Sequence, residues 1–114
     1  MSGPTPMFVL ISEYQASIAE VEAVLPRHSE WVTAGYREGR ILVSGRRQPP
    51  QGGLIVAAGL DRADVEHWLA GDPFVVAAVA VYRIEQFGAT DFPKRSPAFD
   101  LFRREDDADH GGGR

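Results

Sequence analysis

"GRILVSGRRQPPQGGLIVAAGL", residues 39–60, contains two apolar runs separated by a polar segment rich in proline and glycine. The runs at 39–45 and 54–60 predict the second and third strands of a sheet, and residues 46–53 predict the loop between them. Two strands joined by so short a connection form an antiparallel hairpin. The sequence therefore predicts a β-hairpin at its centre, with the remaining elements on either side of it.

Alternation along the first of these strands predicts which side chains share a face of the sheet. Ile41 and Val43 are expected on one side, and Leu42 and Ser44 on the other, because successive side chains of a strand point to opposite faces. Ser44 and Arg46 stand at the end of this strand, where a loop can line the mouth of a cleft. An arginine there suits a carboxylate of a small substrate, although a solvated loop charge is the ordinary alternative.

Before the hairpin, the sequence predicts one strand and two pieces of helix. "MFVLIS", residues 7–12, is an apolar run of strand length. From Ser17 the apolar spacing becomes helical, but Pro26 is expected to interrupt it, because the residue before a proline avoids the helical region. We expect a short helix near residues 18–24 and a main helix from Pro26 to about Glu38.

The main helix carries a histidine on its apolar face. His28, Trp31, Val32 and Gly35 follow the spacing of one helix face, so His28 is expected to point toward the packed side. A histidine in such a position is either a hydrogen-bonded core residue or part of a functional site. The spacing alone leaves both readings open.

After the hairpin, the sequence predicts a helix, a short helical turn and a last strand. Asp61 and Asp64 suit a helix start, and Gly71 suits its end. Its predicted apolar stripe consists of Val65, Trp68 and Leu69. Asp72 precedes a proline and can cap a second helical turn that ends near Ala78. "VAVYRIEQF", residues 79–87, predicts the fourth strand.

The predicted order is βαββαβ, which is the ferredoxin-like α+β fold with a four-stranded antiparallel sheet and its helices on one face. We expect a second copy of the chain to cover the other face, which gives a homodimer. The expected divisions are a flexible lead-in at 1–6, the folded domain at 7–87, an extension at 88–104 that packs on the dimer, and a disordered tail at 105–114.

Composition excludes several function classes. The 114 residues suit one domain, and a net charge of −4 gives no basic field for nucleic acid. The sequence holds no cysteine, so disulfides, thiolate metal sites and a cysteine nucleophile are excluded. Without a closely spaced ligand pair, we expect no metal. The first residues lack a basic signal region, and their apolar run is too short for a membrane span, which favours the cytoplasm and no membrane partner.

Four motifs together resemble the YciI-like, or YCII-related domain, family. They are the opening strand, "LPRHSEWV" at residues 25–32, "EGRILVSG" at residues 38–45 and the aspartate–proline–aromatic–valine run in "GDPFVVAAVAVY" at residues 71–82. The resemblance implies a dimeric ferredoxin-like α/β barrel with one cleft per subunit. It also implies that His28 and Asp72 form a catalytic pair.

Such a pair has a clear chemical use. A histidine exchanges protons near neutral pH, and a nearby carboxylate fixes its tautomer and supports its charged form. Asp72 is also a good helix cap, and the two roles are compatible. We expect His67 and His110 to lie at the surface.

The leading hypothesis is a small enzyme without cofactors, in which His28 and Asp72 move a proton during elimination, isomerisation or hydrolysis of a small organic acid. This substrate class includes cyclic and aromatic acids. The alternative is a dimeric module that binds a small ligand or a partner protein without catalysis. Cofactor-free barrel enzymes that oxidise aromatic substrates share the architecture but not these motifs.

Overall fold

A computed structural model describes residues 5–59 and 61–91 of the chain. Its strands and helices occur in the order β1 (Thr5–Tyr14), α1 (Ile18–Arg37), β2 (Ile41–Arg46), β3 (Gly53–Ala58), α2 (Arg62–Leu69), α3 (Pro73–Val76) and β4 (Ala80–Ala89). The short α3 is the helical turn expected after the second helix. The remaining elements have the βαββαβ order.

The four strands form one sheet in the order β2-β3-β1-β4. Every neighbouring pair is antiparallel, so the ferredoxin-like prediction is confirmed. The main core lies between the sheet and helix α2. Its buried members are Phe8, Leu10, Ile41, Ile55, Ala57, Val65 and Leu69.

Helix α1 is continuous, so the prediction of two separate pieces is wrong. Pro26 lies inside it and lacks the N–H that would bond to the carbonyl of Glu22. Both residues are exposed, so water can hydrate the freed carbonyl. The helix buries Val21 near its start and Gly35 near its end. We infer that packing along its whole length outweighs the cost of the proline, which is about 3 kcal/mol in a helix interior.

A register shift in β2 overturns the predicted faces of that strand. Ile41 pairs with Ala57, whereas Val43 pairs with Val56, so the strand is irregular between Ile41 and Val43. Because paired residues share a face, Ile41 faces the helices and Val43 faces away from them. Ser44 then returns to the helix side. The irregularity places Ser44 on the same side of the sheet as α1.

The strands at the two ends of the domain are longer than predicted. Strand β1 begins at Thr5, two residues before the expected start, and β4 continues to Ala89. The expected disordered tail and most of the expected extension fall within residues 92–114, outside the described part of the chain. Among the described helices, none is long and apolar enough to cross a membrane.

Candidate active site

A cavity of about 290 Å³ opens between α1 and the ends of strands β1, β2 and β3. It is close to the lower end of the volumes of small-molecule sites. One wall comes from the helices and includes His28 and Phe74. The opposite wall comes from the β2–β3 hairpin and includes Ser44, Arg46 and Gly53. Three of the four residues expected in the site therefore line the same cavity.

Asp72, the fourth, lies directly behind the histidine. The Nδ1 atom of His28 is 2.7 Å from Oδ1 of Asp72. The Asp72 side chain is fully buried, whereas that of His28 keeps 16% of its surface exposed. The contact joins two residues 44 positions apart in the sequence. Burial removes the competition of water, so the geometry of this pair is fixed by protein groups.

Asp72 also caps helix α3. Its Oδ1 atom accepts the backbone N–H of Phe74 at 2.9 Å, and Pro73 occupies the first turn of the helix. The residue therefore combines the role of a cap with that of a histidine partner. Its other oxygen, Oδ2, accepts the hydroxyl of Tyr82 at 2.6 Å.

A tight turn brings Tyr82 back to the aspartate. After α3 the chain reverses at Ala78, whose φ of 59° lies in the left-handed region. The N–H of Val79 bonds to the carbonyl of Phe74 at 2.9 Å and closes the helix end. Strand β4 then starts at Ala80, and alternation places Tyr82 on the helix side of the sheet, opposite Ser12.

Two aromatic rings enclose the imidazole. The Phe74 ring stacks on that of His28, with centroids 3.8 Å apart and an interplanar angle of 4°. The Trp31 ring lies 6.0 Å away at 30°. With Nδ1 engaged by Asp72, the remaining ring edge carries Nε2, and no described residue bonds to that atom. Since His28 lines the cavity, a ligand that reaches Nε2 does so in the ring plane, which is the direction of proton transfer.

The hydrogen bonds around Asp72 favour one tautomer of the His28 ring. Burial, and next the negative charge of Asp72, raise the pKa of Tyr82 far above its ordinary value, so the phenol remains a donor. Phe74 contributes a backbone N–H, which can only donate. Asp72 thus accepts from both Tyr82 and Phe74, and the His28 tautomer with the proton on Nδ1 is a third donor to it. In that tautomer Nε2 is the ring nitrogen without a proton, on a residue that lines the cavity.

The hairpin wall is more polar and more exposed. The Ser44 hydroxyl lies 2.7 Å from that of Tyr36. Arg46 is exposed and forms no ion pair with any described residue. Arg47 points elsewhere, since its Nη1 donates to the carbonyl of Ser12 at 3.0 Å. Arg46 is consequently the positive charge available to an anion in the cavity.

Close backbone contact joins this wall to β1. A Cβ atom on Gly52 would lie 1.8 Å from the carbonyl oxygen of Ser12, so only glycine fits there. The Ser12 hydroxyl accepts the N–H of Gly53 at 2.7 Å. These contacts hold the hairpin end of the cavity against β1.

The other histidines lie outside this cavity. His67 is exposed on α2, as predicted, where it lines a second groove together with Trp31, Trp68 and Arg40. His110 falls outside the described residues. Within residues 5–59 and 61–91, no group of three His, Cys, Asp or Glu residues could hold a metal ion.

Sequence reasoning did not identify Tyr82 and Phe74 as parts of the site. The signal for Tyr82 was the alternation of β4, which places it on the helix side with Ala80 and Ile84. Phe74 stands two residues after Asp72, within the motif already noted. Its stacking on a histidine from another helix depends on how the two helices pack, and no local pattern encodes that.

The solved structure of one known protein supports the fold. The structure is similar to 5-chloro-2-hydroxyhydroquinone dehydrochlorinase (TftG) from Burkholderia phenoliruptrix in complex with 2,5-dihydroxybenzoquinone, with a TM-score of 0.55 and 12% identity over 79% of this chain and 98% of that one. The cofactor-independent oxygenase SnoaB from Streptomyces nogalater, in a mutant form, gives a TM-score of 0.45 and 17% identity over 79% of this chain and 97% of that one. No curated protein matches the sequence.

The sequence model of the YCII-related domain matches residues 6–88. That range includes every strand and helix of the described fold except the first and last residues of the sheet. It also contains His28, its partner Asp72 and the hairpin that lines the cavity. The chain belongs to the YCII-related domain family.

Proposed function

We propose that this chain is a small enzyme that transfers a proton on a small organic acid and needs no bound cofactor. The observation that carries the proposal is the 2.7 Å contact between His28 and the fully buried Asp72. With Nδ1 engaged by Asp72, Nε2 of His28 is the proposed base. His28 and Asp72 are the proposed catalytic pair, and Ser44 and Arg46 the proposed substrate-binding residues.

The proposed step begins when Nε2 takes a proton from an acidic C–H or O–H bond of the substrate. His28 becomes an imidazolium, and the charge of Asp72 stabilises it across the Nδ1 hydrogen bond. In an elimination, the electron pair of the C–H bond expels a leaving group from the neighbouring carbon. In an isomerisation, the imidazolium returns the proton to a different carbon. In a hydrolysis, Nε2 instead takes the proton from a water molecule as its oxygen bonds to the substrate, and the imidazolium gives that proton to the leaving group as the bond to it breaks.

The hairpin wall supports an acidic substrate. Arg46 is the cation at the cavity, and a guanidinium binds a carboxylate through two parallel hydrogen bonds. The hydroxyl of Ser44 can add one more. With an anionic group held at the hairpin, the rest of a ring-sized molecule extends toward His28. The cavity volume of about 290 Å³ suits a molecule of that size.

Deuterium uptake tests the proposed base. Phenylpyruvate is a suitable probe, because it is an aromatic acid with an acidic C–H bond next to a carbonyl. In D₂O the protein should accelerate exchange of that hydrogen by about 10² or more over buffer, as a positioned general base does. The His28→Gln variant should lose the acceleration. Exchange at equal rates in both proteins would contradict the proposal.

Binding measurements distinguish catalysis from simple ligand binding. Benzoate carries the proposed anionic group but no exchangeable C–H of this kind. If benzoate binds and Arg46→Gln weakens it, while His28→Gln changes no reaction of any enolisable acid tested, the alternative of a non-catalytic binding module is supported.

We also propose a homodimer formed through the sheet face opposite the helices. That face exposes large apolar side chains, with Val43 56%, Val81 54% and Phe87 45% accessible. Val43, Val56 and Val9 form an apolar row across three neighbouring strands. A second copy presents the same surface and can cover it by twofold symmetry. Sedimentation should show a dimer at micromolar concentration, and Val43→Glu should weaken it. A wild-type monomer would end this proposal.

A further inference from the structure

Tyr82 contacts the proposed catalytic pair from behind. It lies in the middle of β4 and is absent from the residues that line the cavity. Its hydroxyl donates to Oδ2 of Asp72 at 2.6 Å. A substrate in the cavity therefore does not touch it, and any influence on the reaction must pass through Asp72.

The Asp72 carboxylate is held from two sides. Its Oδ1 atom accepts from Nδ1 of His28 and from the N–H of Phe74. Oδ2 accepts only from Tyr82 among the described residues. The two contacts on Oδ1 fix its position, but they do not fix the rotation of the carboxylate plane as firmly as contacts on both oxygens. The Tyr82 bond supplies the missing restraint.

The Tyr82 bond also affects the charge of the aspartate. The side chain is fully buried, and a buried carboxylate is stabilised in its ionised form by the hydrogen bonds that it accepts. Removing the phenol would leave Oδ2 in an apolar space beside the ring of residue 82. Without a donor on Oδ2, the carboxylate would be free to rotate away from His28, and the Nδ1 hydrogen bond would lengthen.

We infer that Tyr82 is a positioning residue of the candidate site, which holds the Asp72 carboxylate oriented so that its Oδ1 stays on Nδ1 of His28. The hydrogen-bond chain runs from Tyr82 through Asp72 to His28 and ends at Nε2. Its consequence for turnover rests on the proposed function, whereas its effect on the His28–Asp72 bond does not.

Proton NMR of the resting protein tests this inference without a substrate. The Nδ1–H proton of His28, bonded to a buried carboxylate, should give a far-downfield signal that exchanges slowly with water. The signal is assigned by its loss in His28→Gln. In Tyr82→Phe it should move upfield and exchange at least about tenfold faster, as expected when a bond to a charged group is lost.

A destabilising control variant tests whether the NMR changes arise only from a lower global stability. Val65→Ala removes two methyl groups from the fully buried core of α2, away from the cavity. This variant should leave the chemical shift unchanged, and its exchange rate should change only in step with its global stability. The inference is overturned if Tyr82→Phe keeps the wild-type shift and exchange rate, or if Val65→Ala reproduces both changes.

Activity measurements separate this inference from the proposed function. With an exchangeable substrate such as phenylpyruvate, Tyr82→Phe should lower kcat about tenfold and leave KM nearly unchanged, because Tyr82 does not line the cavity. If the NMR signal changes but no variant of the protein has activity, the positioning role stands and the proposed catalysis fails. If His28→Gln abolishes activity while Tyr82→Phe leaves the NMR signal intact, the proposed catalysis stands and the positioning role of Tyr82 fails.

Discussion

The two walls of the cavity are built in opposite ways. On the helix wall, His28 is enclosed by Phe74 and Trp31, and its partner Asp72 is fully buried. On the hairpin wall, Arg46 is exposed and takes part in no ion pair with the described residues. The side chains of the helix wall are held in place without a ligand. The exposed side chains of the hairpin wall become ordered only when a ligand binds to them. The helix wall is therefore suited to catalysis, and the hairpin wall is suited to substrate selection.

The largest expected effect on stability follows from removing Asp72, the hydrogen-bond acceptor behind the helix wall. Asp72→Ala removes the partner of Tyr82, His28 and the Phe74 N–H and should lower the free energy of unfolding by about 3–5 kcal/mol, as measured by urea denaturation.

Asp72→Asn is the matched control for this change. The Phe74 N–H keeps an oxygen at the Oδ1 position, so His28 retains an acceptor, and Tyr82 can accept from the new amide. We expect a loss of only about 1 kcal/mol, since each hydrogen bond has a replacement. Equal costs for the two variants would mean that the site depends on the charge rather than on its bonds.

The hairpin wall contains a glycine, Gly52, that cannot be replaced by a larger residue without moving the backbone. At Gly52, a Cβ atom would lie 1.8 Å from the carbonyl oxygen of Ser12. Gly52→Ala should therefore cost about 3 kcal/mol, because backbone must move. Gly45 lines the same cavity, and a Cβ there would meet nothing within 4 Å. Thermal unfolding should show Gly45→Ala within about 0.5 kcal/mol of wild type; a similar loss at both positions would contradict the geometry.

Alkaline pH should weaken the helix wall through Tyr82. Its pKa is raised in the folded protein by burial and by Asp72, whereas in the unfolded chain it is about 10. The stabilisation is therefore fully present below about pH 10 and is lost as the pH rises beyond it. Urea titrations across this range should show a decline in unfolding free energy that is smaller in Tyr82→Phe. Tyr36→Phe, an exposed tyrosine, should keep the wild-type decline.

The smallest effect on stability is expected at the hairpin wall. Arg46→Gln should change the free energy of unfolding by less than about 0.5 kcal/mol, because the side chain is exposed. Benzoate binding, followed by calorimetry, should weaken about tenfold or more through loss of a charged hydrogen bond. Unchanged benzoate affinity would remove Arg46 from the proposed substrate-binding residues.

The sequence predicted the parts of this site that follow from periodicity and motif. The helical spacing placed His28 on the packed face, and the dipeptide of Asp72 and Pro73 predicted a capped turn. The family resemblance paired the two residues, and the fold brings them to 2.7 Å.

The sequence did not predict features that depend on packing between elements. Pro26 predicted a break in α1, but burial on both sides of the proline keeps the helix continuous. The irregularity near Leu42 reverses the face of Val43 and follows from pairing with β3 rather than from the strand itself. Tyr82 was assigned only to a strand, since its bond to Asp72 requires the position of α3 relative to β4.

The position of Trp31 beside the His28 ring has an optical consequence. An indole in contact with an imidazole emits less light when that imidazole is charged, so the fluorescence of Trp31 should follow the arrival of a proton on His28. Trp68 stacks on Trp31 with ring centroids 4.4 Å apart, and Trp68→Phe would leave a single emitter. Trp31 is thus an intrinsic fluorescent probe for rapid-mixing experiments. In such experiments the quenching of Trp31 can be timed against the disappearance of substrate.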